Sequence, residues 1–480
     1  MIITRRGFLA RTVAATTSVA LPMVAGSRVF GANEEVRLAL VGCGGRGNYL
    51  LSQFGRQQGV RFVAVCDPDR QRLEATALRI ENLFHNKPER VVDVRRLMER
   101  KDFDAVVVAT MQYWHSLPTI WACQTGRDVY VEKPLSHYIW EGRQMVNAAR
   151  EYNRLVQVGM QRRSDPLVRR SIRFLQEGRL GKIRYVTCFA NKMRSSIGKR
   201  KEPLPIPDFI DYELWCGPAR KEPIYRDRLQ YDCNFVWNTC DGDSCNQGVH
   251  EVDVARWLLG ETQLPRRVMS VGGRFVFDDA GDTPNTQIIF YDFPTAPVLY
   301  ELRSLRVAKN SNEAPQFRGE GVGVCAHCED GDLMVYTGTL YDRSGKKVGQ
   351  LNEPLPPTES HFENFIRAIR SGKPEELSAE VLEGQISTAI THAGNISYRL
   401  GQPATPDQVR AQIGDLPMMQ EMLDRYLSHL KAHEIDPGAS ILGPWLECDP
   451  GNECFKDNPA ANELVKGYYR TPFLVPEVHA

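Results

Sequence analysis

A glycine-rich turn between two apolar runs places the strongest constraint on how this chain can fold. The run Val36–Val41 predicts a strand, and the pattern G-C-G-G-R-G follows it directly over residues 42–47. Residues 48–58 have the spacing of a helix, and a second apolar run, Arg61–Cys66, ends on Asp67. Strand, G-x-G-x-x-G turn, helix, strand and acid in this order are typical of a βαβ unit that binds a dinucleotide.

Each glycine of the turn has a physical task in holding such a ligand. Gly42 permits the sharp turn off the strand, Gly44 lets the backbone approach a pyrophosphate, and Gly47 lets helix and strand pack closely. Free N–H groups at the helix start face the phosphates. Asp67, about 20 residues beyond the last glycine, can accept from both ribose hydroxyls, which favours NAD, while two arginines shortly after it keep NADP open. The expected nucleotide contacts in this unit are Gly42, Gly44, Gly45, Arg46, Gly47 and Asp67.

The alternation of strands and helices continues to about residue 161. Apolar runs at 105–109, 128–131 and 155–159 predict buried strands that are separated by helical segments. Residues 33–161 are therefore predicted to form a Rossmann domain with a doubly wound parallel sheet. Ligands bind such sheets at the carboxyl ends of the strands. The segments after the strands supply the next candidates, which are Thr110, His115, Glu132, Lys133, Gln161 and Arg162.

Beyond residue 161 the pattern changes to that of an α+β domain. Strands are predicted at 183–191, 268–277, 286–292, 298–305 and 332–338, and helices at 249–259, 359–371 and 378–400. Residues 162–400 thus predict a large, mostly antiparallel open sheet with helices on one side. The proline-rich stretch 199–231 is predicted to be a long loop. Residues 401–480, with one good helix at 416–433, are predicted to be an extension packed on this second domain.

The composition is typical of an ordinary globular protein, and the N-terminus predicts export from the cytoplasm. The 480 residues are 42% hydrophobic and 25% charged, and the net charge of +1 argues against a nucleic-acid or membrane-surface partner. The pattern T-R-R-G-F-L at residues 4–9 is a twin-arginine pattern, so residues 1–32 are predicted to be a bacterial export signal. No later apolar run is long enough to span a bilayer. We expect a periplasmic or otherwise exported protein that leaves folded, with its nucleotide already bound.

Twelve cysteines raise the questions of disulfides and of metal binding. Closely spaced pairs can form disulfides in an oxidising compartment, and their redox state stays open. These pairs are Cys240 with Cys245, Cys325 with Cys328, and Cys448 with Cys454. The segment 325–328, Cys-Ala-His-Cys, is at most half of a metal site, because no second C-x-x-C or H-x-x-H supplies the other ligands. The sequence therefore predicts no metal centre.

The chain resembles the glucose–fructose oxidoreductase / inositol dehydrogenase / MocA family, abbreviated Gfo/Idh/MocA. The resemblance rests on the glycine turn, on Glu132-Lys133-Pro134 after the fifth strand and on His250 in a helix of the second domain, and it covers residues 36–400. It implies that Lys133 reaches both nicotinamide and substrate hydroxyl, where an ammonium can hold a forming alkoxide. It also implies a turn at Pro134, often with a cis bond in the family, and a general-base role for His250.

Two positions near His250 need separate interpretation. Four residues before it, on the same helix face, the family commonly carries Asp, whereas this chain has Asn246. An amide can orient a substrate or an imidazole, but it cannot stabilise an imidazolium as a carboxylate does. Asp253, one turn beyond His250, can supply a carboxylate instead. Candidate substrate contacts are Gln161, Arg162, His250 and Trp237, the last because aromatic faces stack on sugar C–H surfaces.

The resemblance implies an NAD(P)-dependent oxidoreductase that acts on a sugar, polyol or glycoside and recycles a tightly bound cofactor. Some relatives are glycosidases that oxidise C3 transiently, eliminate the glycosidic group, add water and reduce again, but their Gly-His-Gly-Gly stretch is absent here. A third hypothesis is a nucleotide-containing binding protein without turnover, which the presence of both Lys133 and His250 opposes. The family also implies a dimer or tetramer through the open sheet face, since that face would otherwise expose a large apolar patch. The sequence does not identify the sugar, the carbon or the direction of hydride transfer.

Overall fold

The structure is a computed structural model that describes residues 35–357 and 359–479, so the predicted export signal lies outside the described residues. Six strands form the sheet of the first domain: β1 (Val36–Val41), β2 (Val60–Cys66), β3 (Glu89–Val91), β4 (Ala105–Val108), β5 (Asp128–Val131) and β6 (Val156–Val158). Their order is β3-β2-β1-β4-β5-β6, and every neighbouring pair is parallel. The predicted Rossmann sheet is confirmed.

Helices cover both faces of this sheet: α1 (Gly45–Phe54), α2 (Arg70–Phe84), α3 (Val94–Glu99), α4 (Ser116–Gln124) and α5 (Ile139–Glu151). Asp69 and Asp93 set two of the starts, because their side chains accept from the first free N–H groups of α2 and α3. The apolar sides of α1 and α2 pack on one face of the sheet, and those of α3, α4 and α5 on the other. The strand order reverses between β1 and β4, so a ligand crevice opens above their carboxyl ends.

The second domain and the C-terminal extension share one twelve-stranded sheet. The helices of this part are α6 (Pro166–Gln176), α7 (Tyr212–Cys216), α8 (Gly242–Asn246), α9 (Gly248–Leu259), α10 (His361–Ser371), α11 (Val381–Arg399), α12 (Pro406–Ile413), α13 (Pro417–Ala432) and α14 (Pro459–Glu463). The strands are β7 (Ile183–Ala190), β8 (Arg267–Gly273), β9 (Thr286–Asp292), β10 (Val298–Arg303), β11 (Val322–Cys328), β12 (Asp332–Met334), β13 (Thr339–Tyr341), β14 (Lys347–Gln350), β15 (Gln402–Pro403), β16 (Ile441–Leu442), β17 (Leu446–Asp449) and β18 (Cys454–Phe455). The order is β14-β13-β12-β11-β7-β10-β9-β8-β16-β15, with β17 paired to β8 and β18 to β17. Only β7 and β10 pair in parallel, which confirms the predicted large, mostly antiparallel sheet.

Helices lie on both faces of this sheet, which differs from the one-sided arrangement expected from the sequence. The inner face packs against α6, α9 and α11, where Tyr291 and Tyr300 are fully buried. On the outer face, α12 and α13 of the extension cover β8, β9 and β10. Phe317, from the segment before β11, packs on the same face over Phe189. The chain itself therefore covers the part of the open face that β8, β9, β10 and Phe189 of β7 form.

The extension also reaches the first domain. Phe473 and Val478 belong to the core that α3, α4 and α5 form on the Rossmann sheet. The Val478 N–H donates to Gln144 Oε1 at 2.8 Å, and Asn147 Nδ2 donates to the Val478 carbonyl at 2.7 Å. The Phe473 ring lies 5.3 Å, between centroids, from the Trp114 ring. The extension thus packs on both domains rather than on the second alone.

All twelve cysteines are free thiols, so none of the three candidate pairs is a disulfide in this structure. Cys325 and Cys328 lie three positions apart on β11 and therefore point to opposite faces of the sheet. They pack in different apolar clusters. The two thiols of the Cys-Ala-His-Cys segment cannot serve one metal ion.

Candidate active site

A cavity of about 580 Å³ opens at the carboxyl ends of the Rossmann strands and extends to the start of α9. It is lined by most of the residues that the sequence singled out for nucleotide binding and catalysis. These are Gly42, Gly44, Gly45, Arg46, Asp67, Thr110, His115, Glu132, Lys133, Gln161, Asn246 and His250. The strand order separates Asp67, after β2, from Lys133, after β5, so the cavity spans the reversal of the sheet.

The glycine turn has the geometry that its sequence predicts. Gly42 has a φ of +97°, and a Cβ there would lie 2.6 Å from the Ala109 carbonyl oxygen. A Cβ at Gly47 would lie 1.9 Å from the Gly42 carbonyl oxygen, so close packing of α1 on β1 requires glycine. Gly44 caps α1 without a side chain, which leaves uncapped N–H groups on the cavity wall. This arrangement fits a pyrophosphate at the helix start.

Asp67 is held in place by the backbone around it. Its Oδ2 accepts from the Cys43 N–H at 2.7 Å, and its Oδ1 accepts from the Asp69 N–H at 2.9 Å. Burial raises the pKa of Asp67 to about 6, although both hydrogen bonds oppose the shift. The carboxylate lines the cavity where ribose hydroxyls would be held. Arg72, one of the two arginines that keep NADP open, lines the same wall.

His115 holds together the two loops that follow β4 and β5. Its Nδ1 lies 2.7 Å from the Pro134 carbonyl oxygen and its Nε2 lies 3.1 Å from the Thr110 carbonyl oxygen. Burial lowers the pKa of His115, so the neutral ring donates to one of these carbonyls at a time. Thr110 Oγ1 is buried and has no partner among the described residues, which leaves it for a bound ligand.

Lys133 follows β5, and its peptide bond to Pro134 is cis, as the family resemblance implied. Its Nζ donates to Asn246 Oδ1 at 3.1 Å and also to the backbone carbonyl of Asn246. Burial lowers the pKa of Lys133 to about 8; Glu132 opposes this shift and Arg46 adds to it. The amine therefore titrates close to neutral pH, which suits work on a hydroxyl proton.

His250 lies in the first turn of α9 and lines the cavity. Its Nδ1 has no hydrogen-bond partner in the described part of the chain. Burial holds the pKa of His250 well below its ordinary value, and the positive charges of Lys133 and Arg162 act in the same direction. The ring is therefore neutral and able to accept a proton. Asn246 ends α8, and a break at Gln247 separates it from α9, so its amide orients Lys133 rather than His250.

Glu132 fixes the wall between the glycine turn and Lys133. Arg46 pairs with its Oε1 at 2.7 Å, and Gln161 Nε2 donates to the same oxygen at 3.3 Å. Gln161 Nε2 also donates to the Tyr130 hydroxyl at 2.7 Å. These contacts hold Arg46 and Gln161 at the cavity surface, and their contacts with nucleotide and substrate stay predictions.

The prediction that Asp253 supplies a carboxylate to His250 is wrong. The Asp253 side chain is buried between α9 and α11, where its carboxylate accepts two charged hydrogen bonds from Arg163 at 2.8 and 2.9 Å. Ser387 donates to the same carboxylate at 2.7 Å. The carboxylate is therefore occupied by Arg163 and Ser387 inside the second domain and is not available to His250.

Trp237 lines a second cavity, of about 380 Å³, between the two domains and the extension, so its predicted role as a wall of the active site is wrong. Its ring faces the Arg399 guanidinium at 5.3 Å from the ring centroid. Arg162 lies outside the lining of the active-site cavity, with its guanidinium 4.2 Å from the Tyr336 ring centroid. Its charge still acts on His250.

The predicted long loop supplies functional residues that sequence reasoning missed. Leu214, Trp215, Gln230 and Tyr231 of this loop line the active-site cavity, and so does Asn234 just beyond it. The Tyr113 hydroxyl donates to the Trp215 carbonyl at 2.6 Å and Trp114 Nε1 donates to the Leu214 carbonyl at 3.1 Å, so α7 is fastened over the loop after β4. The length of the loop was the available signal, because loops of this length in compact domains are usually functional.

A Rossmann domain with a nucleotide-fitting glycine turn, joined in one cavity to a buried lysine and a neutral histidine of a second domain, defines a nicotinamide-dependent oxidoreductase. Residues 36–160 match the family model described as an oxidoreductase family with an NAD-binding Rossmann fold, and residues 175–290 match the C-terminal alpha/beta domain of that oxidoreductase family. The chain belongs to the Gfo/Idh/MocA family, and its first domain is the NAD-binding Rossmann domain of that family.

Three known proteins illustrate the similarity. The scyllo-inositol 2-dehydrogenase (NAD(+)) of Bacillus subtilis (strain 168) is 23% identical over 393 residues, which cover 79% of this chain and 99% of that protein. A glycosyl hydrolase family 109 protein of Solibacter usitatus is 30% identical over 129 residues, 25% of this chain and 29% of that protein. The solved WlbA dehydrogenase of Bordetella pertussis, in complex with NADH and UDP-GlcNAcA, shares the fold with a TM-score of 0.54 at 19% identity, covering 75% of this chain and 95% of that one.

Proposed function

We propose that this chain is an exported NAD-dependent oxidoreductase that acts on a hydroxyl or carbonyl group of a sugar, polyol or glycoside and keeps its nucleotide tightly bound. The observation that carries the proposal is the single cavity in which Asp67 and the glycine turn meet Lys133 and His250. When bound, the nucleotide exchanges a hydride with the substrate carbon. NADP stays an alternative, because Arg72 lines the wall beside Asp67.

Lys133 and His250 divide the work on the substrate hydroxyl. The neutral His250 ring, which lines the cavity, accepts the hydroxyl proton. The Lys133 ammonium, oriented by Asn246, stabilises the oxygen as negative charge develops on it. In the reverse direction the same two groups return the proton and release the hydroxyl. Similarity to an enzyme named for scyllo-inositol supports a polyol or sugar as substrate.

The test is turnover of a Lys133→Met variant, measured with the sugar or cyclitol that the wild type uses best. We expect a loss of about 10²- to 10⁴-fold, the usual worth of a group that assists proton transfer, with the nucleotide still bound. Lys309→Met is the matched control, because Lys309 is exposed and pairs only with Glu434 on the surface. Unchanged turnover in Lys133→Met would contradict the assignment and would favour a binding protein without turnover.

NAD-dependent cleavage of a glycosidic bond is the second candidate, favoured by the similarity to glycosyl hydrolase family 109 proteins. In that chemistry the ring is oxidised transiently, the glycosidic group is eliminated, water adds and the ring is reduced again. An assay in deuterium oxide separates the two functions. Release of the leaving group with solvent deuterium beside the oxidised carbon, and without accumulation of NADH, supports cleavage, whereas steady NADH formation without release supports simple dehydrogenation.

Export through the twin-arginine pathway is part of the same proposal. In residues 35–357 and 359–479, no helix has both the length and the apolarity needed to cross a bilayer. An enzyme outside the cytoplasm has no nucleotide pool, so it must carry its cofactor. Protein purified from an exporting bacterial host without added nucleotide is expected to release one NAD(H) per chain on denaturation, and an Arg5→Lys, Arg6→Lys variant to stay in the cytoplasm. An empty site would contradict the captive cofactor, and NADP(H) would contradict the assignment of Asp67.

A homodimer or homotetramer stays a prediction of the family resemblance. Because α12 and α13 cover β8, β9 and β10 on the outer face of the large sheet, a contact between copies would use the remaining strands of that face or another surface. Light scattering over a range of concentrations measures this directly. A mass that stays at one chain at every concentration would contradict the prediction.

A further inference from the structure

Buried side chains that commonly bind metals meet behind the active-site cavity, at a place that the proposed reaction does not use. Cys245 Sγ lies 3.8 Å from His392 Nδ1, and the same nitrogen lies 3.8 Å from Asp241 Oδ1. The three donor atoms lie within 4.8 Å of one another, and none of the three side chains is more than 5% exposed. The cluster adjoins the cavity wall, since the Asp241 N–H donates to Gln112 Oε1 at 3.0 Å.

The hydrogen bonds around the cluster orient its donors towards a common point. His392 Nε2 lies 3.0 Å from the Ser136 carbonyl oxygen, which can only accept, so Nε2 carries the proton. Nδ1 therefore turns its lone pair towards Cys245 and Asp241, as in the histidines that ligate metals. Asp241 Oδ2 is buried without a hydrogen-bond partner among the described residues. Buried carboxylates are normally paired with donors or coordinate metals, so this oxygen calls for a ligand.

We propose that Asp241, Cys245 and His392 bind one divalent transition-metal ion, with zinc favoured by the set of thiolate, imidazole and carboxylate donors. Zinc–ligand bonds of about 2.0–2.3 Å in a tetrahedron place the donors of a set with one sulfur about 3.3–3.6 Å apart. The two 3.8 Å separations in the cluster therefore have to shorten by only a few tenths of an ångström when the ion binds. His137 lies on the remaining side, with its Nε2 3.8 Å from Asp241 Oδ2. Because that nitrogen also lies 3.1 Å from the Trp237 carbonyl oxygen, it carries a proton and is not free to bind the ion, so the fourth position falls to a water molecule.

In a second cluster of similar donors, an arginine already pairs with the carboxylate. Cys325, His327 and Asp332 also lie within 4.8 Å of one another. Arg318, however, pairs with Asp332 Oδ2 at 2.5 Å and lies 3.8 Å from Cys325 Sγ. A guanidinium already neutralises that carboxylate, and a metal ion would have to displace it. Within the described ranges, no arginine donates to the donors of the Asp241 cluster, so the second cluster serves as an internal control.

The metal would tie α8 to α11 next to the catalytic groups. Asp241 precedes α8, Cys245 lies on α8 and His392 lies on α11. The residue after Cys245 is Asn246, whose side-chain and backbone oxygens receive the Lys133 ammonium. The ion would therefore hold the element that positions Lys133. The proposal does not depend on which reaction the site performs.

Metal analysis of the full-length protein tests the proposal without reference to activity. We expect one zinc ion per chain after chelator treatment and re-addition of zinc. Cobalt(II) in place of zinc is expected to give the visible bands of a tetrahedral site and a thiolate-to-cobalt charge-transfer band. Cys245→Ser removes that band, whereas Cys123→Ser, an equally buried thiol of α4, keeps it. Asn395→Ala removes a donor to Cys245 Sγ and to the Asp241 carbonyl and is expected to lower the affinity about 10- to 100-fold.

The wild-type protein alone can overturn the proposal, so it does not depend on whether a variant folds. A chain that is folded by circular dichroism and takes up no cobalt at stoichiometric concentration would refute it. A charge-transfer band that survives Cys245→Ser would refute it as well. Loss of the band in His327→Asn, with Cys245→Ser unaffected, would assign the ion to the second cluster and reject the one proposed here.

Discussion

The pH dependence of turnover tests the electrostatics of Lys133 through its neighbour Asn246. The pKa of Lys133 is about 8, and the Asn246 Oδ1 atom lies 3.1 Å from its Nζ. An Asn246→Asp variant places a carboxylate where the amide now stands. An opposite charge at this distance favours the ammonium form, so the pKa of Lys133 rises. Any limb of the pH profile that reports Lys133 must then move to higher pH.

The size of the shift follows from the distance and the burial. Two unit charges about 4 Å apart attract by about 1 kcal/mol in bulk water and about 4 kcal/mol at an effective dielectric constant of 20. Asn246 is half-buried at the cavity wall, so the attraction lies between these limits, at about 2–3 kcal/mol. One pKa unit corresponds to about 1.4 kcal/mol, which gives an upward shift of about 1.5–2 units. Repulsion from Asp243 is limited, because Arg194 already pairs with that carboxylate at 2.7 Å.

The assay is kcat/KM of the exported holoprotein on both sides of pH 8, for wild type, Asn246→Asp and the neutral control Asn246→Ser. We expect the wild-type and Asn246→Ser limbs near pH 8 and the Asn246→Asp limb at higher pH. Lys133→Arg is expected to lose the limb altogether, because a guanidinium does not titrate in this range. A limb that stays in place in Asn246→Asp, or that survives Lys133→Arg, would show that another group sets the profile.

Three further predictions concern stability. Asp253→Asn removes one of the two carboxylates that pair with the buried Arg163, the other being Glu383, and should lower the free energy of unfolding by up to about 3 kcal/mol, with turnover per folded molecule retained. A selective loss of turnover would restore Asp253 as a catalytic residue. Gly47→Ala should prevent stable folding of the nucleotide domain. Gly45→Ala, where a Cβ would meet nothing within 4 Å, should keep the melting temperature of the nucleotide-free protein. Equal melting temperatures for the two variants would refute the packing argument. Burial raises the pKa of Glu141 from 4.5 to about 8, so the folded state keeps a proton that the unfolded state releases. The contribution to stability that is present below pH 4.5 is therefore lost as the pH rises through 8. Glu141→Gln should flatten this fall in melting temperature, and parallel curves for the two proteins would contradict it.

Much of the first domain was predictable because each element leaves its mark in adjacent residues. The apolar runs at 105–109 and 128–131 each predict a strand from local sequence, and the structure confirms both as β4 and β5. The sequence analysis does not predict β11, because its sequence, V-G-V-C-A-H-C, lacks large aliphatic side chains and was interpreted as a cysteine motif. It becomes a strand through pairing with β7, where Val324 lies opposite Cys188. Because β7 is distant from β11 in sequence, no local pattern predicts this pairing.

The same limit applies to the active site. Lys133 and His250 were found because each sits at a recognisable position in a local motif. Asp253 was misassigned because helical spacing places it near His250, but Arg163 and Ser387, 90 and 134 residues away in sequence, capture its carboxylate. Cys245 and His392 are separated by 147 residues, which is why spacing rules for metal ligands do not detect them. The local pattern therefore predicted the helix α9 correctly. Long-range contacts, which the local pattern does not contain, determine what the Asp253 side chain does in that helix.

The C-terminal extension packs behind the segment that covers the active-site cavity. Phe473 packs on Trp114, and Trp114 both lines the active-site cavity and donates to the Leu214 carbonyl at the start of the covering helix α7. The extension therefore supports, from behind, the aromatic residue that holds α7 over the cavity. If the chain is exported with its nucleotide bound, as we propose, contacts that restrain this covering segment would slow release of the nucleotide without any change in the groups that bind it.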